Sequence, residues 1–199
     1  MRTIFNLFLA SLGMMSCNRK DFDRLPARTQ DNYYQMVVEI PAGSSLKSEY
    51  NPSAKQIEPD SVEGRIRIID FLPYPGNYGF IPGTLMNTEM GGDGDPLDVL
   101  VIGPPAAKGT VIKILPIAIL RMKDQGENDD KIIAIPADPD RRTLQADHFA
   151  ILSTAYPIVM NILELWFKNY KKPENIEITG WGSETEAYAI IRKYEILKK

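Results

Sequence analysis

The chain of 199 residues has a single cysteine, Cys17, so it can form neither an internal disulfide nor a cysteine-based zinc site. It has a single histidine, His148, and no Gly-x-Ser-x-Gly segment. A histidine-ligated metal or a Ser-His-Asp triad would therefore rest on that one residue. A formal net charge of −3 gives no basic footprint for nucleic acid. The apolar run near the N-terminus falls short of the roughly 20 residues that a membrane-spanning helix needs. These absences leave carboxylates, lysines, arginines and tyrosines to carry any chemistry. The length suits one domain with a substantial core and is short for two.

The carboxylates are most crowded in Gly91-Gly92-Asp93-Gly94-Asp95-Pro96-Leu97-Asp98, which sets three of them within six residues and runs into the apolar segment Val99-Leu100-Val101-Ile102. Carboxylates this close repel one another, so a fold that gathers them holds them with cations or keeps one protonated. The glycines relax the backbone where it turns, and Pro96 fixes its own φ. The expected product is a rigid acidic loop at the mouth of a strand, with oxygen ligands suited to Mg²⁺. A solvated turn is the plainer reading of the same residues. An EF-hand loop is excluded by spacing: counting from Asp93, the fifth, sixth and twelfth positions hold Leu97, Asp98 and Pro104. An aspartyl-phosphatase reading is weak, because the strand follows the carboxylates instead of preceding them.

At the N-terminus, Ile4 to Met15 is apolar and follows Arg2, which reads as a cleaved export signal over residues 1–16. Met14-Met15-Ser16-Cys17 resembles a bacterial lipobox, with Met14 in place of the usual Leu. The resemblance implies that Cys17 becomes the lipidated first residue of an exported protein anchored on the periplasmic side of a membrane. The alternatives are an N-terminal core helix and a cytoplasmic protein with an unusual leader. Residues 17–32 are polar, contain Pro26 and show no apolar period, so the expectation is a tether or a loosely docked arm without chemistry.

The remaining residues, 33–199, read as the folded domain. Met36-Val37-Val38-Glu39-Ile40-Pro41 predicts a strand on which alternation would place Glu39 toward solvent. Lys47 and Glu49 point the same way on an extended chain and alone make an ordinary surface ion pair. Asn51 to Gly64 is expected to be a hairpin-like excursion. Arg65 to Leu72 predicts a strand, closed by Pro73 to Pro82. Val111 to Met122 is apolar and β-branched at its start, as a central strand should be. Asp124 to Lys131 reads as a charged hairpin tip before the strand Ile132–Pro136. Ile158, Val159, Ile162, Leu163, Leu165 and Trp166 recur at helical spacing behind Pro157 and are expected in the core. Tyr170-Lys171 alone would be a solvated helix end. Ile176 to Trp181 predicts a last strand. Ser183-x-x-Glu186 predicts a capping box opening a helix that turns Ala187, Ile190, Ile191 and Tyr194 inward. Strands followed by helices make an α+β class.

Asp93 to Val99 matches, at every position, the signature Asp-x-Asp-(Pro/Glu)-apolar-Asp-apolar of soluble family I inorganic pyrophosphatases. Tyr74-Pro75-Gly76-Asn77-Tyr78-Gly79-Phe80-Ile81-Pro82 resembles a second segment of that family, and the resemblance runs from about Met36 to about Lys171. It implies an OB-like five-stranded β-barrel with two packed C-terminal helices. It implies hydrolysis of inorganic diphosphate to two phosphates by in-line attack of a metal-activated water, with several Mg²⁺ ions per site. By the same resemblance Asp93, Asp98, Asp124 and Asp129 are metal ligands, Glu39 meets metal-bound water, and Asp95 is the general base. Lys47, Glu49, Arg67, Tyr78, Lys131, Tyr170 and Lys171 bind or orient substrate, with Arg67 favoured over Arg65 by spacing. Asp130 is read as a spectator. The competing reading is a non-catalytic lipoprotein of the same fold that binds divalent metal or phosphate, and either reading leaves room for a homo-oligomer.

Overall fold

The computed structural model describes residues 20–87, 94–171 and 175–196. The segment expected to be an export signal with a lipobox at Cys17, and Asp93, lie outside the described residues.

Five strands close a ring: β1 (Tyr34–Ile40), β6 (Asn77–Phe80), β7 (Asp98–Val101), β10 (Lys131–Pro136) and β8 (Val111–Asp124). Neighbours in that order are hydrogen-bonded, antiparallel except for β7 with β10, and β8 returns to pair with β1. The expected five-stranded barrel is therefore present. Closure depends on the length of β8, whose 14 residues serve four neighbours. Its start pairs with β1, its middle with β10, its far half with β11 (Ile176–Ser183), and its last two residues with the short β9 (Glu127–Asn128). Pro116 lies at the register shift against Ile133 and Ala134, where a missing N–H is tolerated and the strand can bend.

Ring strands are buried on both faces. Ile133 and Ile135 of β10 pack into a cluster with Leu163, Trp166 and Phe167 of α2 (Pro157–Asn169). Ile132 and Ala134 pack into a second cluster with Ala187 and Ile191 of α3 (Glu184–Tyr194). The capping box of α3 forms as expected, with Ser183 and Glu186 each satisfying the other's backbone N–H. A further short helix, α1 (Phe149–Ala155), precedes α2 and meets it at a bend of 95° at Pro157.

Three expectations are corrected. Ile158, Ile162 and Leu165 are exposed, because the apolar residues of α2 wrap wider than the one face that meets the ring. Only Arg65–Ile66 (β5) of the expected strand 65–72 forms, paired with Ser61–Val62 (β4) in a small exposed hairpin. The supposed closing segment 73–82 instead contains β6, a fully buried ring strand. Of the two arrangements expected for residues 20–32, a tether or a docked arm, the arm is present: Phe22 and Ala27 are buried, and the Gln35 side chain donates to the Pro26 carbonyl. The hairpin expected after Lys47 is present as β2 (Ser48–Asn51) with β3 (Gln56–Pro59), a two-stranded sheet outside the ring.

Gly79 allows β6 to approach β1. A Cβ there would lie 2.0 Å from the Val37 carbonyl oxygen, a backbone atom that cannot yield without opening the ring. Gly79→Ala is expected to destabilise by about 3 kcal/mol, at the upper end of overpacking costs. A thermal melt would show Tm lowered by roughly 6–12 °C; an unchanged Tm would mean that the approach is relieved elsewhere.

Candidate active site

The ring brings several strand ends to one opening. Glu39 is next to last on β1, Tyr78 lies on β6, Asp98 opens β7, Asp124 ends β8 and Lys131 opens β10. Tyr170 and Lys171 follow α2 directly. The parallel register of Ile132 with Val99 sets Lys131 beside Asp98 one step earlier on both strands.

The Lys131 ammonium is the centre of this opening. The residue is 1 % exposed, and Nζ donates to Asp98 Oδ2 at 2.5 Å and to Asp129 Oδ1. The Tyr78 hydroxyl donates to the same Asp98 oxygen at 2.7 Å. Burial alone would lower the ammonium pKa, but the two carboxylates outweigh it, so the group lies above its ordinary value and stays charged. Burial raises the Asp129 carboxyl, with Lys131 pulling the other way. Burial also raises the hydroxyls of Tyr74 and Tyr78, which therefore remain neutral donors.

Glu39 is buried, not solvent-facing as alternation suggests. All seven residues of β1 are covered, and Glu39 Oε1 accepts from the Tyr50 N–H at 2.7 Å. Burial pushes this carboxyl up to about 8, against the Tyr50 N–H and with added repulsion from Asp98 and Glu49.

A second group gathers beside β2. Lys47 pairs with Glu49 and, at 2.9 Å, with Asp60 Oδ2; the Arg67 guanidinium donates to that same Asp60 oxygen at 2.8 Å. Arg65 is exposed on β5 and takes no part in this group. Asp60 was not anticipated: it stands in a hydrophilic excursion, carries no motif, and only the folded hairpin brings it between Lys47 and Arg67. Tyr74 was also missed as a site residue, although it packs between Tyr78, Trp166 and Tyr170.

These groups face a cavity of about 540 Å³. Glu39, Lys47, Glu49, Tyr78, Asp95, Asp98, Asp129, Lys131, Tyr170 and Lys171 all line it. Arg67 connects to it through Asp60 and Lys47, and Asp124 through Lys171, whose Nζ lies 2.5 Å from Asp124 Oδ2. Asp95 is exposed at the mouth, where its carbonyl accepts from the Met86 N–H. Asp130 faces elsewhere, its carboxylate accepting from the Met122 N–H and standing near Arg121. A larger cavity of about 630 Å³, between α2 and β11, includes none of these residues.

The donors present suit a hard divalent cation. Asp98, Asp124 and Asp129 offer only carboxylate oxygens. Asp124 Oδ1 is buried and has no hydrogen-bond partner among the described residues, a costly state that a coordinated cation would relieve. Among the described residues no three such carboxylates converge into a closed metal cage, since the Lys131 and Lys171 ammonium groups stand between them.

A family model described as inorganic pyrophosphatase matches residues 36–196. The inorganic pyrophosphatase of Sulfolobus acidocaldarius is 38 % identical over 166 residues, 81 % of this chain and 89 % of that one. That of Haemophilus influenzae is 37 % identical over 179 residues, 87 % of this chain and 94 % of that one. The crystal structure of the inorganic pyrophosphatase from Thermus thermophilus matches with a TM-score of 0.75 at 30 % identity, covering 88 % of this chain and 97 % of that chain. The match begins inside β1, ends beyond α3 and so takes in the strands and helices that build the cavity: the chain belongs to the inorganic pyrophosphatase family.

Proposed function

We propose that the chain hydrolyses inorganic diphosphate to two phosphates and uses Mg²⁺ to do so. The observation that carries this reading is the one cavity in which Lys47, Lys131 and Lys171 meet Asp95, Asp98 and Asp129, in a family whose relatives bear the name of that activity. Diphosphate is small and highly anionic, so its site needs cations against its oxygens. Three lysines and, beside Lys47, Arg67 supply them. The carboxylates would only repel such a substrate on their own; they make sense as holders of metal.

Asp98, Asp124 and Asp129, together with Asp93 in the preceding loop, would hold the metal, with Glu39 as a further oxygen partner. Bound Mg²⁺ supplies Lewis acidity toward phosphoryl oxygens and lowers the pKa of water at the site. Asp95, exposed at the mouth, accepts the proton of the attacking water as general base. Lys47, with Glu49 and Arg67 beside it, binds one phosphate. Lys131, Tyr170 and Lys171 neutralise charge on the leaving one, and the Tyr78 hydroxyl fixes Asp98. A non-catalytic metal or phosphate binder would have no use for Asp95 in this place.

The N-terminal run and Cys17 support export and lipid anchoring, and the exposed stripe Ile158, Ile162 and Leu165 supports assembly of the chain with itself.

Release of phosphate from diphosphate by the purified protein is expected to require Mg²⁺ and to be blocked by excess Ca²⁺. The longer, looser Ca²⁺–oxygen bonds misplace the reacting groups, whereas Mg²⁺ holds near-octahedral geometry at about 2.0–2.1 Å. Full turnover in a chelator would overturn this.

Asp95→Asn should lower kcat by roughly 10²–10⁴-fold with the fold intact, the usual worth of a positioned proton acceptor. Asp130→Asn should leave kcat within about twofold, since an amide oxygen can still accept from Met122. Equal effects in steady-state assays would place the general base elsewhere.

Cys17→Ser should move the protein from the membrane to the soluble fraction with unchanged specific activity. Stable anchoring takes more than one acyl chain, each buried CH₂ contributing about 0.8 kcal/mol, and serine carries none of them. Fractionation of expressing cells decides it: an unsubstituted protein that is already soluble and keeps Met1 defeats both the lipobox and the export readings.

A further inference from the structure

The hairpin that carries Lys47 and Glu49 to the cavity is not part of the ring. β2 has four residues, its one sheet partner among the described residues is the equally short β3, and a two-stranded hairpin is marginal in water by itself. Something must hold it against the ring if Lys47 is to stand at a fixed place.

Part of that hold comes from residues 21–23, which lie ahead of the segment matched by the family model; Lys108 Nζ also donates to Ser48 Oγ at 2.7 Å, and the Lys47 N–H donates to the Arg67 carbonyl at 3.1 Å. Phe22 is 4 % exposed and packs in a small cluster with Val37 of β1 and Phe80 of β6, with Tyr50 and Ile57 of the hairpin against it. Its ring meets that of Tyr50 edge-on at 5.2 Å, and Tyr50 in turn stacks on Phe80 at 5.8 Å. The Phe22 N–H donates to the Tyr50 hydroxyl at 3.2 Å. At the far end of the hairpin, Lys55 Nζ donates to Asp21 Oδ2 at 2.5 Å. The side of Tyr50 facing the site carries the consequence, since its backbone N–H is the one that donates to the buried Glu39 carboxylate. Phe22 and Asp23 themselves line the cavity.

We propose that Phe22 is a positioning residue of the active site: the N-terminal arm wedges the β2–β3 hairpin onto the ring through Tyr50, and thereby fixes Lys47 and Glu49 relative to Glu39 and the other strand ends. The inference rests on the diphosphatase reading for its kinetic consequence, and on geometry alone for its structural one. Without the wedge, Tyr50 loses one face of its packing, its N–H is free to leave Glu39, and Lys47 moves with the strand that follows it. The ring, built from other contacts, stays closed. Substrate binding should suffer before the chemical step, because the lysine moves while Asp95 and Asp98 do not.

Two readouts on the full chain test this. In Phe22→Ala the Tyr50 amide should exchange with solvent roughly 100-fold faster, while amides of β8 and β10 keep their protection. KM for diphosphate should rise about 10-fold or more, with kcat changed by less than about threefold. Phe22→Leu, which keeps apolar volume, should restore most of both. Lys55→Met, a surface change that removes only the Asp21 tie, should shift both readouts in the same direction by less, and it decides the matter if Phe22→Ala fails to fold. A folded Phe22→Ala with native Tyr50 exchange and native KM overturns the proposal, as does an unaltered Lys55→Met where that variant decides. Absence of any diphosphate hydrolysis in the unsubstituted protein would defeat the functional reading instead, and Tyr50 exchange would still judge the wedge.

Discussion

A charged ammonium with almost no solvent is the constraint around which the site is arranged. Taking such a group out of water costs several kcal/mol unless good partners surround it. Lys131 has two carboxylates, from the start of β7 and from the hairpin that leads into β10, and a tyrosine hydroxyl shares one of their oxygens. Each partner comes from a different part of the chain, so the pairing is satisfied only when the parallel β7–β10 register and the β6–β7 register are both in place. The dependence is mutual. Without Lys131, Asp98 and Asp129 would be two partly buried carboxylates in repulsion. Without them the lysine would have to lose its proton or leave the interior. The energy of closing this end of the ring and the chemistry of the site are thus set by the same atoms.

The ammonium groups also bear on how so many carboxylates are gathered at one end of the ring. Lys131 and Lys171 sit against Asp98, Asp129 and Asp124, which lowers the electrostatic cost of gathering them. Compensation is incomplete at Asp124, where one carboxylate oxygen is buried and has no hydrogen-bond partner among the described residues. A divalent cation would take over part of the lysines' work and release their charge toward an anionic substrate. That exchange is a physical reason for a site of this kind to mix acidic and basic residues instead of separating them.

The candidate site was legible in the sequence through the family resemblance: alone, Lys47 and Glu49 read as a surface ion pair and Asp124 to Lys131 as a charged hairpin tip. Residues 94–97 lead into β7, and Asp124, Asp129 and Lys131 lie at one end of the ring. Spacing favoured Arg67 over Arg65, and the folded chain shows what lies between the candidates. The β4–β5 hairpin is inserted after Asp60, and the Arg67 N–H returns to the Asp60 carbonyl at 2.9 Å, so the arginine rejoins the strand as though the insertion were absent. Two features were illegible for physical reasons. β6 is rich in turn-forming residues because it must come very close to β1, so its glycine is a requirement of packing that reads locally as a turn. The apolar residues of α2 are periodic on more than one face, and periodicity cannot say which face finds the ring.

The N-terminal arm shows how composition can mislead about attachment. Residues 18–32 are polar on average, and an average ignores what one aromatic side chain can do. Phe22 and Ala27, with the carbonyl of Pro26, are enough to dock the segment, because the receiving surface is already formed by Val37, Phe80 and Gln35.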